Sequence, residues 1–163
     1  MGRRLIVAVV GDGQCDAATA AEAEAVGRAL AEAGATVVCG GLGGVMEAVC
    51  RGAKSAGGIT VGVLPGLDRR AANPYVDIPI VTGMDQARNL IVARTGQAVI
   101  AVHGGYGTLS EIAHALKAGI PVVGLGTWEL ARPGEAGDTI RRAETPAEAA
   151  RMAVALAWAE SDR

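Results

Sequence analysis

The chain has 163 residues, half of them apolar, with 15 Lys and Arg against 17 Asp and Glu and a formal charge of −2. That length predicts a single domain over residues 1–163, large enough to bury roughly 70% of its unfolded surface. Basic pairs occur only at Arg3-Arg4, Arg69-Arg70 and Arg141-Arg142, and there is no Phe. A nucleic-acid partner, which wants a basic stripe and stacking aromatics, is therefore not expected. Neither is a membrane partner, since the apolar runs fall short of the ~20 residues that cross a bilayer.

The N-terminus, Met1 to Arg4 followed by Leu5 to Val10, has the basic and apolar parts of a leader. Gly11-Asp12-Gly13 closes the apolar run at once, so a first strand is the better reading. Cys15, Cys39 and Cys50 show no CxxC or His-rich spacing, which argues against both a disulfide framework and a zinc site. A reducing cytoplasm is the expected location.

From Leu5 to Val10 the pattern predicts a strand, then a helix over Ala17 to Ala33, a strand over Thr36 to Cys39, a helix over Val45 to Ala56 and a strand over Ile59 to Leu64. After the loop from Pro65 to Pro74 come a strand over Val76 to Val81, a helix over Met84 to Thr95, a strand over Ala98 to Val102, a helix over Gly107 to Ala118 and a strand over Pro121 to Leu125. Residues 132–145 read as a polar connection. Thr145-Pro146-Ala147-Glu148 then gives a capping box with Pro at the first helical position, opening a helix to about Ala159. Alternating elements with continuously apolar strands predict an α/β fold: a single Rossmann-like domain, its parallel sheet flanked by helices on both faces.

Two strand-to-helix turns are unusually rich in glycine. Gly40, Gly41, Gly43 and Gly44 follow one strand, and Gly104, Gly105 and Gly107 follow another, with Tyr106 and Thr108 among them. Glycine lets a ligand approach the main chain, and the first turn of a helix offers unpaired N–H groups at the positive end of a dipole. Together these features bind phosphate, and two such turns at strand ends suggest one shared anion site.

The first turn, with Gly11 and Gly13, lacks the third glycine of a dinucleotide fingerprint. The second strand ends in Cys39-Gly40, without the acid that would hold the ribose of NAD. Gly11 and Gly13 are then tight-turn residues or ligand contacts. No P-loop lysine and no nucleophile elbow are present, and His103 and His114 build no metal cluster by spacing.

Thr108-Leu109-Ser110-Glu111 admits two readings. It is a capping box, or it is a carboxylate at the mouth of the glycine site that accepts ligand hydrogen bonds or transfers a proton. Arg88 and Asn89 interrupt a largely apolar helix. They form an exposed polar face, or the guanidinium grips a phosphate or carboxylate with two parallel hydrogen bonds.

Gly40-Gly41-Leu42-Gly43-Gly44-Val45-Met46-Glu47, Ala87-Arg88-Asn89 and Gly104-Gly105-Tyr106-Gly107-Thr108-Leu109-Ser110-Glu111 together resemble a Rossmann-like superfamily, formerly called lysine decarboxylase-like. It holds the LOG phosphoribohydrolases and the molybdenum cofactor carrier proteins. The resemblance runs from Leu5 to about Trp128. It is closest to the short carrier-like branch through Val63-Leu64-Pro65-Gly66, Asn73-Pro74-Tyr75 and Thr82-Gly83.

It implies that Arg88 and Glu111 take the places of the enzymes' arginine and glutamate, while Gly104, Gly105, Gly107 and Thr108 cradle a phosphate. His103 stands where the enzymes have proline, and Ala87 where they commonly have glutamate. Both departures fall in the enzyme signature and leave the glycine cradle intact. The expectation is a binding or carrier protein for a phosphorylated heterocycle, either molybdenum cofactor or a nucleotide monophosphate, that requires no cofactor of its own. The alternative is a nucleoside 5′-monophosphate phosphoribohydrolase with Arg88 and Glu111 catalytic. Alanine-faced helices and the family's habit imply a homo-oligomer, dimer or tetramer.

Overall fold

The computed structural model describes residues 4–134 and 139–161, with the side chains of residues 160 and 161 left aside; Met1 to Arg3 and the middle of the polar connection lie outside the described residues. Strands β1 (Ile6–Val10), β2 (Thr36–Cys39), β3 (Thr60–Leu64), β4 (Ile78–Val81), β5 (Ala98–Val102), β6 (Val122–Leu125) and β7 (Arg141–Arg142) form one sheet in the order β4-β3-β2-β1-β5-β6-β7. Every pairing is parallel. The helices are α1 (Ala17–Glu32), α2 (Val45–Ser55), α3 (Asn89–Thr95), α4 (Tyr106–Lys117) and α5 (Pro146–Ser161). This is the expected Rossmann-like α/β domain. None of the described helices is long and apolar enough to cross a membrane.

The strands are apolar without a break because each serves two cores. Val7, Val9, Val37, Ile100 and Val102 pack with Val26, Leu30, Val49 and Ala153 on the face covered by α1, α2 and α5. Their neighbours Ala8, Val10, Val38, Val99 and Ala101 pack with Val92, Ile112 and Ala115 under α3 and α4. Burial of successive residues on opposite faces is what a parallel sheet between helix layers requires.

Helices α1 and α2 touch backbone to backbone. A Cβ at Gly27 would collide with the Val49 carbonyl oxygen, and one at Gly52 with that of Glu24. The crossing is pinned at its side by the Arg51–Glu24 ion pair, 2.9 Å.

Several expectations need correction. The strand expected over Val76 to Val81 is shorter and lies at the sheet edge, with Ile78, Ile80 and Val81 exposed rather than buried on both faces. The helix expected over Met84 to Thr95 is broken. Gly83 and Asp85 take left-handed backbone, Asp85–Arg88 forms a 3-10 turn, and only Asn89–Thr95 is α-helical. Finally, the polar connection 132–145 contributes β7, which joins the sheet by main-chain pairing to β6 and carries no apolar pattern. The box opening α5 is half present: Thr145 Oγ accepts from Glu148 N at 3.2 Å, but Glu148 reaches Glu144 N instead of Thr145 N.

Candidate functional site

Strand order reverses between β1 and β5, and the chain leaves β1 through α1 on one face of the sheet and β5 through α4 on the other. A crevice must open there, outside the carboxyl ends of the strands. A cleft of about 100 Å³ occupies this place. Val9, Val10, Gly11 and Asp12 line it from the end of β1, Gly40 and Met46 from the second turn, and Gly107, Thr108 and Glu111 from α4, with Arg88 and Asn89 closing it. Both glycine turns therefore reach one site.

Arg88 is delivered by the break in the helix. It is 9% exposed. Its Nη1 donates to Asn89 Oδ1, Asn89 Nδ2 donates to Ser110 Oγ at 3.3 Å, and Ser110 Oγ donates to Gly107 O at 2.7 Å. This relay fixes the guanidinium against the first turn of α4. A Cβ at Gly40 would meet Arg88 Nη2 and Met46 Sδ at 2.7 and 2.6 Å, so glycine there makes room for the guanidinium.

Among the described residues, two buried side-chain atoms have no hydrogen-bond partner, Arg88 Nε and Thr108 Oγ1, and both residues line the cleft. Buried polar groups are nearly always satisfied, and an unpaired one costs roughly 1–3 kcal/mol. Both belong to residues of the cleft wall, the side from which a ligand would supply acceptors.

The capping reading of Thr108 and Glu111 does not hold. Helix α4 begins at Tyr106 with Gly105 as its cap residue, and no side chain of the helix caps it. Thr108, the third residue of α4, is buried beside Gly104, and Glu111, three residues further along, is buried on the same cleft wall. Burial pushes the Glu111 carboxyl up from its ordinary 4.5 to about 8, against the opposing pull of Arg88. That shift favours the protonated form at neutral pH.

The helix end is instead held by a residue that the sequence pattern did not single out. Asp12 Oδ1 accepts from Gly105 N at 2.8 Å, while Asp12 O accepts from Val45 N, the start of α2, at 3.0 Å. One residue thus ties both glycine turns together. Its place between Gly11 and Gly13 was the available signal.

The remaining candidates support the site without lining the cleft. Gly41 takes left-handed backbone over Leu64 and Gly62, and Gly44, also left-handed, lets Asp12 O and Gly13 approach. Gly43 packs over Gly13 O, and Gly104, with φ of 101°, passes beside Thr108. Tyr106 stands outside the cleft, 82% exposed. His103 has φ of 47° and pairs with Glu22 at 2.7 Å. Proline is locked near −65°, so this turn cannot take the proline of the LOG signature without changing its backbone. Beneath the second turn, the buried Cys39 and Cys50 sulfurs lie 3.5 Å apart. No group of three His, Cys, Asp or Glu among the described residues could hold a metal ion.

The model of the SLOG cluster4 family matches residues 4–153. The chain belongs to that family. This SLOG chain superposes on the molybdenum cofactor binding protein of Rippkaea orientalis with a TM-score of 0.87 at 34% identity, over 94% of this chain and 98% of that one. The molybdenum cofactor carrier protein of Chlamydomonas reinhardtii gives 0.84 at 37% identity, again over 94% and 98%. An uncharacterized protein of Archaeoglobus fulgidus is 46% identical over 143 residues, 88% of the SLOG chain and 90% of its relative. A cytokinin riboside 5′-monophosphate phosphoribohydrolase of Mycobacterium tuberculosis is 38% identical over 113 residues, which span 63% of this chain and 60% of that enzyme.

Proposed function

We propose that the protein binds or carries a small phosphorylated heterocycle, molybdenum cofactor or a nucleoside monophosphate, with the phosphate in the cleft between the glycine turns. The observation that carries this reading is the pair of buried, unpartnered atoms, Arg88 Nε and Thr108 Oγ1, on residues that line the cleft beside the first turn of α4. A phosphate supplies acceptors for both, and the guanidinium supplies its countercharge. The cofactor-binding neighbours from Rippkaea and Chlamydomonas support the same class of ligand.

Thermal unfolding tests the reading: adenosine 5′-monophosphate (AMP) should raise Tm and adenosine should not. Ligand at ~100 times Kd stabilises by about 2.7 kcal/mol. Equal shifts from both compounds would remove the phosphate from the argument.

A second reading, hydrolysis of the N-glycosidic bond, is favoured by Glu111. A carboxyl that stays protonated to about pH 8 could act as a general acid, and the M. tuberculosis relative is such an enzyme by name. Release of free base from AMP, abolished in Glu111→Gln, decides for it. The reading also includes a homo-oligomer, supported by the exposed apolar side chains Leu67, Ile78, Ile80, Val81 and Met84 beside and along the β4 edge, and a cytoplasmic location, which the free thiols of Cys15, Cys39 and Cys50 suit.

A further inference from the structure

The cleft is too small for a whole nucleotide or pterin. Pockets that enclose such ligands run to ~300 Å³ and more, against about 100 Å³ here. With the phosphate inside, the ring must lie outside, against whatever borders the mouth.

Two of the chain's four aromatic residues stand together at the N-terminus of α4, next in the chain to the cleft-lining Gly107. Tyr106 follows Gly105 and precedes the cleft-lining Gly107, and its ring, 82% exposed, has no role in the core. The half-buried Trp128 lies beside it, with ring centroids 5.5 Å apart and planes at 40°.

The indole is fixed from two sides. Its Nε1 donates to Gly105 O at 3.1 Å, and Arg142 of β7 donates to the carbonyls of Thr127 and Trp128. Thr127 Oγ1 adds a bond to His103 O at 2.5 Å. The segment after β6 is thus fastened to the glycine turn itself. The indole backs Tyr106 with a rigid support, while the other face of the phenol is open to solvent.

Resting on the phosphate reading above, we propose that Tyr106 and Trp128 form an aromatic shelf on which the ring of a phosphorylated heterocycle stacks, so that Tyr106 sets the preference for ligands that carry a base or pterin over bare sugar phosphates. Stacking on an aromatic face is tolerant of ring identity, because every heterocycle offers a π-face. One shelf would serve both ligand classes named above.

The test uses AMP and ribose 5-phosphate, which share the sugar and phosphate and differ in the ring. Trp158→Phe, on an exposed position of α5, leaves Trp128 as the sole indole reporter. AMP should change Trp128 emission more than ribose 5-phosphate does at equal occupancy. Tyr106→Ala should weaken AMP about tenfold and leave ribose 5-phosphate unchanged, with Tyr106→Phe restoring AMP affinity. Because Tyr106 is exposed, these variants should keep the wild-type Tm.

Equal weakening of both ligands by Tyr106→Ala, or no effect on either, would overturn the shelf while leaving the phosphate site standing. Binding of ribose 5-phosphate without AMP would also overturn the shelf. Failure of wild type to bind either compound overturns the phosphate reading, and the shelf with it.

Discussion

Glu111 holds a proton that the unfolded chain would release, and this gives its stability contribution a definite sign. In the unfolded state the carboxyl ionises near 4.5, and in the fold near 8. Between those values the native state binds more protons than the unfolded one, so stability falls as pH rises through that window. Below it the contribution is fully present, and above it the loss is complete. Glu111→Gln should be flatter across the same range and exceed wild type at pH 8 by a few kcal/mol, at about 1.4 kcal/mol per pKa unit. Urea midpoints at pH 5, 6.5 and 8 measure this, and parallel curves for the two proteins would contradict it.

Asp12 has the opposite relation to the ligand. Its carboxylate already sits on the Gly105 N–H at the positive end of α4, where a phosphate would seek the same donor. Asp12→Asn keeps an oxygen for that bond and removes the like charge. Its affinity for AMP should therefore rise severalfold by calorimetry. A weaker complex would mean that Asp12 accepts a donor from the ligand.

At the scale of elements, what was legible depended on whether the cause is local. Apolar runs and glycine turns are written in neighbouring residues, and β1, β2, β5 and the starts of α2 and α4 fall within a residue or two of their expected places. The break before α3 is different. The pattern from Met84 to Thr95 suits a continuous helix, yet the left-handed Asp85 and the 3-10 turn bring Arg88 under α4, a demand made by a segment some twenty residues on. Thr108 and Glu111 have capping-box spacing, but spacing cannot say whether a threonine stands before a helix or within it. For β7, only the neighbouring edge of β6 makes a strand of two arginines.

The α1–α2 crossing carries the sharpest prediction at this scale. Gly27→Ala places a methyl on the Val49 carbonyl and forces the helices apart, although alanine is the better helix former. The net effect should be a loss of about 1–3 kcal/mol, the usual range for overpacking. An unchanged denaturation midpoint would show that the helices slide freely past one another.

Across the whole molecule, the tie between the glycine turns joins parts of the chain that are distant in sequence. Asp12 and Gly105 are 93 positions apart, and β5 must dock on β1 before they meet. Contacts of such long range close late, after the entropy of ordering the intervening chain has been met. The anion site is therefore expected to form after the folding nucleus. A ligand cannot then guide the chain toward its fold; it can only hold the finished one. In stopped-flow experiments AMP should leave the refolding rate unchanged and slow unfolding, so that occupancy governs how long each folded molecule lasts and not how quickly a new one forms.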